Sequence, residues 1–196
     1  MLKRVFDIGC SVCGILILAP FFLCISLAIT VNSGFPVFYL QSRVGKNNRD
    51  FKLVKFRRMH TGADKKGLLT VGGRDPRVTA VGYYLRKYKL DELPQLFNVL
   101  IGNMSLVGPR PEVRKYVNLY TEEQRHVLSV KPGITDLASL KFINENDLLA
   151  RSSDPEKTYI EEIMPEKLAL NRVYIEQHHF GMDLKIIFAT LKKIVS

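Results

Sequence analysis

The sequence predicts an α/β fold, mostly helical with short strand or extended segments. An N-terminal membrane helix hairpin and interface segment (residues 1–42) precedes one compact domain (residues 43–196). Three features carry this. From Ile8 to Ser42 there is no charged residue, and the 24 almost wholly apolar residues Ile8 to Val31 extend, as a helix, roughly 36 Å against a hydrocarbon core of about 30 Å. Phe51 to Met59 reads as a strand whose alternation puts Phe51, Leu53, Lys55 and Arg57 on one side. Leu93, Leu96, Phe97 and Leu100 recur at helical spacing and describe one buried helix face.

Pro20 falls in the middle of the apolar segment, where it removes a backbone hydrogen bond, and Ser11 and Gly14 are further weak points. Lys3 and Arg4 precede the segment, while Arg43, Lys46, Arg49, Lys52, Lys55, Arg57 and Arg58 follow it. Positive residues favour the cytoplasmic side, so both flanks point to one compartment. The expectation is a helix-break-helix hairpin that dips into one leaflet and returns; a single span with the short N-terminus outside is the alternative. A cleaved signal peptide fits poorly, because the apolar run is too long and no small-x-small site follows. Cys10, Cys13 and Cys24 all lie in this stretch and suggest no disulfide framework, only lipid-facing or packed thiols.

Charge is concentrated in the next part of the chain. Residues 43–110 hold 15 Lys/Arg against 5 Asp/Glu, and the parts before and after are nearly neutral. Such a field suits a polyanion, an anionic membrane surface or a phosphorylated small substrate. No groove-reading helix or aromatic stacking platform accompanies it, so nucleic acid is not expected. Phe35 to Gln41 is expected at the membrane interface. Thr61 to Thr79, rich in glycine, reads as a loop able to close over a ligand, with Arg74-Asp75-Pro76-Arg77 as a charged turn. Val81 to Leu90 reads as a short helix presenting Arg86, Lys87 and Lys89.

The chain then reaches Asp91-Glu92, placed at the start of the helix that carries Leu93 to Leu100, with Pro94 tolerated in its first turn. Unpaired N–H groups there favour ionised carboxylates and attract phosphate. Gly108-Pro109-Arg110-Pro111 is a stiff loop holding one guanidinium. Glu112 to Val130 is expected helical, Lys131 to Thr135 a turn and Asn144 to Pro165 polar. Glu166 to His179 is an amphipathic helix broken by Gly181, and Asp183 is expected to cap a last helix through Val195. His178 and His179 point apart on a helix and make no metal pair.

In this order the residues resemble the bacterial monotopic phosphoglycosyl transferases. The resemblance rests on Lys3 to Asp7, the proline-broken apolar segment, Lys55-Phe56-Arg57-Arg58-Met59, Asp75-Pro76-Arg77-Val78-Thr79, Leu85-Arg86-Lys87, Leu90 to Leu96, and Met104 to Pro111. It implies a re-entrant hairpin with both ends cytoplasmic, Lys3, Arg4 and Pro20 belonging to it, on the cytoplasmic face of the bacterial inner membrane. It further implies Asp91 as a nucleophile that displaces UMP from a UDP-sugar and passes the sugar phosphate to undecaprenyl phosphate, feeding downstream glycosyltransferases. Mg²⁺ is implied, held by Glu92 with Asp91, and Lys55, Arg57, Arg86, Pro109 and Arg110 are the implied phosphate contacts.

Two positions depart from the family pattern. Ala19-Pro20 stands where Ser-Pro is common, and Pro132-Gly133-Ile134-Thr135-Asp136 lacks the arginine that usually follows, for which Lys141 is a candidate replacement. Two further readings of the residues remain open. One is a magnesium-dependent phosphohydrolase with the same nucleophile; the other is a non-enzymatic, membrane-tethered anion binder.

Overall fold

The computed structural model describes residues 2–63 and 75–195. Helix α1, Leu2–Ser33, is one continuous helix with Pro20 inside it, where the sequence leads one to expect a break. One face packs on the rest of the chain: Phe22 stands edge-on to Phe56 with ring centroids 5.4 Å apart, and Ile29 is buried. The opposite face leaves Leu16, Ile17, Phe21, Leu23, Leu27 and Val31 exposed. That is the pattern of a helix whose free face meets lipid.

Both ends of α1 are tied to the same body. At its start Lys3 Nζ donates to Asp183 Oδ2 (2.7 Å) and to the Val107 carbonyl (3.1 Å). Arg4 donates to the Val99 and Leu100 carbonyls, and the buried Asp7 accepts from Ser105 Oγ (2.9 Å) and the Leu106 amide (3.1 Å). At its end Arg57 donates to the carbonyls of Ser33 (2.9 Å), Gly34 (2.6 Å) and Phe35 (2.9 Å), which helix geometry leaves without intrahelical partners.

Strands β1 (Phe38–Val44) and β2 (Asp50–Phe56) form an antiparallel pair in which Phe38 faces Phe56 and Val44 faces Asp50. Alternation holds within β2, since Leu53 and Lys55 are buried. Phe35, which follows α1, and Phe38, Tyr39 and Leu40, which begin β1, are exposed. The ends of the Thr61–Thr79 loop are pinned by a bridge between Met59 and Val78; residues 64–74, including Arg74, lie outside the described residues. Arg77 and Asp75 pair at 2.6 Å, so this turn is internally bonded and Asp75 is held below the usual carboxylate range.

Helix α2 (Ala80–Lys87) starts at Thr79, whose hydroxyl accepts the Gly82 amide (3.0 Å). A Cβ added at Gly82 would stand 1.9 Å from the Arg58 carbonyl, so only glycine lets α2 lie against that segment. A 3-10 turn at Leu90–Glu92 leads into α3 (Gln95–Ile101). Its innermost side chains are Gln95, Asn98 and Val99, not the apolar Leu93, Leu96, Phe97 and Leu100 expected from spacing. The reason is that α3 lies between β2 and α1: Asn98 bonds the Lys52 carbonyl (2.7 Å) and the Val54 amide (2.9 Å), and Phe97 turns towards Phe22 of α1.

The rest completes the wall of a cleft. Strand β3 (Ser105–Val107) precedes α4 (Arg114–Val117) and pairs in parallel with β4 (Gly133–Thr135), so the predicted turn at Lys131 to Thr135 is in part a strand. The expected long helix over Glu112 to Val130 is only α4 and a 3-10 turn at Gln124–Ser129, because buried Val113, Tyr116, Val117 and Tyr120 pack into the core instead of running along a surface. Then come α5 (Leu137–Lys141), α6 (Glu145–Ala150), α7 (Pro155–Thr158), a π turn at Tyr159–Ile163, α8 (Met164–Gln177) and α9 (Phe180–Val195). The break between α8 and α9 falls at His178–His179, and Gly181 lies inside α9. Asp183 is buried, paired with Lys3 and hydrogen-bonded by Tyr174 (2.6 Å), so it anchors α1 and is no cap.

Candidate active site

Lys89 takes the left-handed conformation (φ 54°) between α2 and the 3-10 turn, and this reversal aims Asp91 and Glu92 at one cleft. Asp91 is 2% exposed. Arg58 Nη1 lies 3.4 Å from its Oδ2, too far and too poorly aligned for a hydrogen bond, and Oδ2 has no other donor. Burial raises the Asp91 carboxyl above its ordinary range, Glu92's charge adds to this, and Arg58 and Lys55 only partly oppose it. The helix-start argument for two readily ionised acids therefore fails for Asp91.

Glu92 differs in its partners. Lys55 Nζ donates to Oε1 at 3.2 Å, and Arg110 makes a two-pronged contact, with Nη1 donating to Oε2 at 3.1 Å and Nη2 to Oε1. Against the upward push of burial, Arg110 and then Lys55 hold Glu92 well below the usual carboxylate range. Lys55 itself is pushed down to about 8 by burial, with Glu92 opposing the shift.

The Arg110 loop is positioned from behind. A Cβ on Gly133 would stand 2.1 Å from the Gly108 nitrogen, so β4 and the loop meet backbone to backbone. The Gly133 amide donates to the Pro109 carbonyl (3.0 Å), and the Arg110 amide donates to the buried Asp136 (3.1 Å). Pro109 thus builds the loop, while Arg110 reaches into the cleft. Arg86 also lines it, with Nη1 buried and unpartnered, and so does Lys89.

The cleft encloses about 250 Å³. Of the residues expected from sequence, Lys55, Arg86, Asp91, Glu92 and Arg110 converge there. Arg57 does not: β2 ends at Phe56, alternation lapses, and Arg57 turns to the end of α1 while Arg58 takes the place beside Asp91. Lys3, Arg4 and Pro20 belong to α1 and its ties. Lys141 is exposed and paired with Glu166 outside the cleft, so it does not replace the missing arginine. Sequence reasoning missed Arg43, whose guanidinium donates to Glu112 (3.1 Å) and the Pro111 carbonyl (3.0 Å), and it missed Tyr159, which donates to Glu112. It also missed Asn171; these three come from β1, the π turn and α8, and only the folded chain brings them to one cleft.

Among the described residues no three His, Cys, Asp or Glu side chains gather as a metal cage. Adjacent Asp91 and Glu92 fit Mg²⁺ in the mode where one or two carboxylates join substrate phosphates and water. Asp91 Oδ2 accepts no hydrogen bond and faces the Arg58 guanidinium at 3.4 Å, whereas Arg110 and Lys55 hold both oxygens of Glu92.

A family model described as bacterial sugar transferase matches residues 1–196. The chain is 37% identical over 200 residues to the UDP-N-acetylgalactosamine-undecaprenyl-phosphate N-acetylgalactosaminephosphotransferase of Aeromonas hydrophila, covering 100% of this chain and 44% of that one. It is 38% identical to the undecaprenyl-phosphate glucose phosphotransferase of Komagataeibacter xylinus, over 97% of this chain and 35% of that protein. Against the exopolysaccharide production protein PSS of Rhizobium leguminosarum bv. phaseoli it is 38% identical, over 97% of this chain and 94% of the relative. The chain thus spans less than half the length of the first two relatives.

Proposed function

Because the chain belongs to the bacterial sugar transferase family, we propose that it moves a sugar 1-phosphate from a UDP-sugar to undecaprenyl phosphate by way of an aspartyl intermediate. The observation that carries this reading is Asp91: buried, with one unpartnered oxygen, in a cleft rich in cations and joined to a lipid-facing helix. An Asp91 oxygen attacks the sugar-bearing phosphorus, and the bond to the bridging oxygen breaks. UMP leaves with those electrons. A lipid phosphate oxygen then attacks the same phosphorus, the acyl phosphate bond breaks and the Asp91 carboxylate is restored. No net proton is consumed. Lys55, Arg58, Arg86 and Arg110 counter the charge of two phosphorylated substrates meeting a carboxylate. A Mg²⁺ held by Asp91, and by Glu92 through the lone pairs that Arg110 and Lys55 leave, would supply further charge neutralisation at the phosphate oxygens.

The test is UMP release by the protein in nanodiscs with Mg²⁺, undecaprenyl phosphate and a panel of UDP-sugars. UMP that depends on the lipid supports the transferase; sugar phosphate or inorganic phosphate released without lipid would favour a phosphohydrolase. Because Lys55 is lowered to about 8, its charge is lost as pH rises through that value. The donor KM is therefore expected to rise severalfold between about pH 7 and 9, with kcat less affected, in initial-rate measurements.

The ties at both ends of α1 support a placement with both ends on one side of the membrane, which we assign to the cytoplasmic face, although α1 runs on through Pro20 without the expected break. A straight span would carry the Lys3–Asp183 and Arg57–Ser33 contacts to opposite sides of the membrane, although one body makes both. With the native cysteines replaced by serine, Leu2→Cys is expected to resist an impermeant thiol reagent in intact cells and to react after lysis. Labelling from outside would establish a single span instead.

A further inference from the structure

The cleft lining combines charged, polar and apolar side chains. Around Asp91 it is charged. Asn171, Tyr120 and Arg43 also line it, with the apolar side chains of Leu149, Met164 and Leu168. Asn171 is 4% exposed, and its Oδ1 is covered with no hydrogen-bond donor in reach. Arg43 directs its outer nitrogens to Glu112, Pro111 and Gln41, leaving a buried, unpartnered Nε. Burial raises the Tyr120 hydroxyl well above its ordinary range, so it stays a neutral O–H. An acceptor, a donor and a hydroxyl thus lie uncommitted beside an apolar wall, an arrangement costly to maintain empty and suited to a ligand with several hydroxyls and C–H faces.

Which part of a donor belongs there follows from size and from the order of steps. About 250 Å³ falls below the roughly 300–1,000 Å³ of sites that enclose a whole small molecule, so only part of a nucleotide sugar is enclosed. In a two-step transfer UMP departs before the lipid phosphate arrives, and only the sugar phosphate stays through both steps. Resting on the transferase reading above, we infer that Asn171, with Tyr120 and Arg43, forms the pyranose subsite, Asn171 Oδ1 accepting from a sugar hydroxyl and so reading sugar identity.

The experiment compares wild type, Asn171→Ala and Tyr120→Phe in nanodiscs. It measures kcat/KM for a panel of UDP-hexoses and UDP-N-acetylhexosamines, together with inhibition by UMP. The expected result is a loss of about 10- to 100-fold in kcat/KM for the best donor and a changed rank order among sugars, with UMP inhibition within about twofold of wild type. Tyr120→Phe removes a single oxygen and keeps the comparison available if Asn171→Ala folds poorly. A parallel loss of UMP inhibition would overturn the assignment by placing these groups on the nucleoside. So would a loss uniform across all sugars, or no change in either variant. If wild type releases no lipid-dependent UMP with any donor, the transferase reading fails first, before any variant is compared.

Discussion

Asp91→Asn is expected to abolish lipid-dependent UMP release, by about 10⁴-fold or more, because an amide oxygen cannot form the acyl phosphate and, among the described residues of the cleft, the other carboxylates are held by basic partners. Glu92 is the adjacent carboxylate, and Arg110 and Lys55 hold both of its oxygens. Stability should move the other way. Asp91 has a folded-state pKa raised above its unfolded value, so its favourable contribution is present at low pH and is lost as pH rises through the raised value. At neutral pH the ionised carboxylate is a burden that Asn removes. The variant is expected to unfold at the same temperature as wild type or higher, followed by circular dichroism in detergent. Loss of activity accompanied by a lowered midpoint would mark Asp91 as a structural residue and sink the nucleophile assignment.

Glu92→Gln is expected to lose both fold stability and activity. It leaves Arg110 and Lys55 facing a neutral amide in a largely buried site, and breaking such a pair from one side costs about 3–5 kcal/mol. Glu92 has its folded pKa depressed, so its contribution is present above the ordinary glutamate range and is lost as pH falls towards the depressed value. Wild type should therefore lose stability on acidification below the ordinary glutamate range, and Glu92→Gln should lose less over the same span. Denaturant titrations at neutral and acid pH would measure this. A variant as stable as wild type at neutral pH would show that the Arg110–Glu92–Lys55 cluster does not hold the cleft together.

Several of the site's parts were legible in the chain because their chemistry is local. Adjacent acids before a helical run, an arginine between two prolines and a lysine on an alternating strand each point to anion handling wherever the body of the protein lies. Arg57 and Arg58 show where local reading stops. Alternation assigns the cleft to Arg57, yet the strand ends at Phe56, and the next residue answers the carbonyls at the end of α1. Periodicity likewise found the apolar face of α3, but not that a polar face holding Asn98 would be the more deeply buried one.

The sequence alone determined the long apolar segment, the basic middle of the chain, the acidic pair and the stiff arginine loop, because each depends on composition or on spacing within a few residues. Tertiary structure decided which carboxylate keeps an oxygen without a hydrogen bond, that Arg58 faces Asp91, and that Lys3, Asp7 and Asp183 tie the long apolar helix to the rest of the chain. It also decided that Tyr159 and Asn171, far along the chain, close the cleft. Those outcomes depend on burial and on contacts between residues as much as 180 positions apart, and no local pattern in a chain encodes such distances.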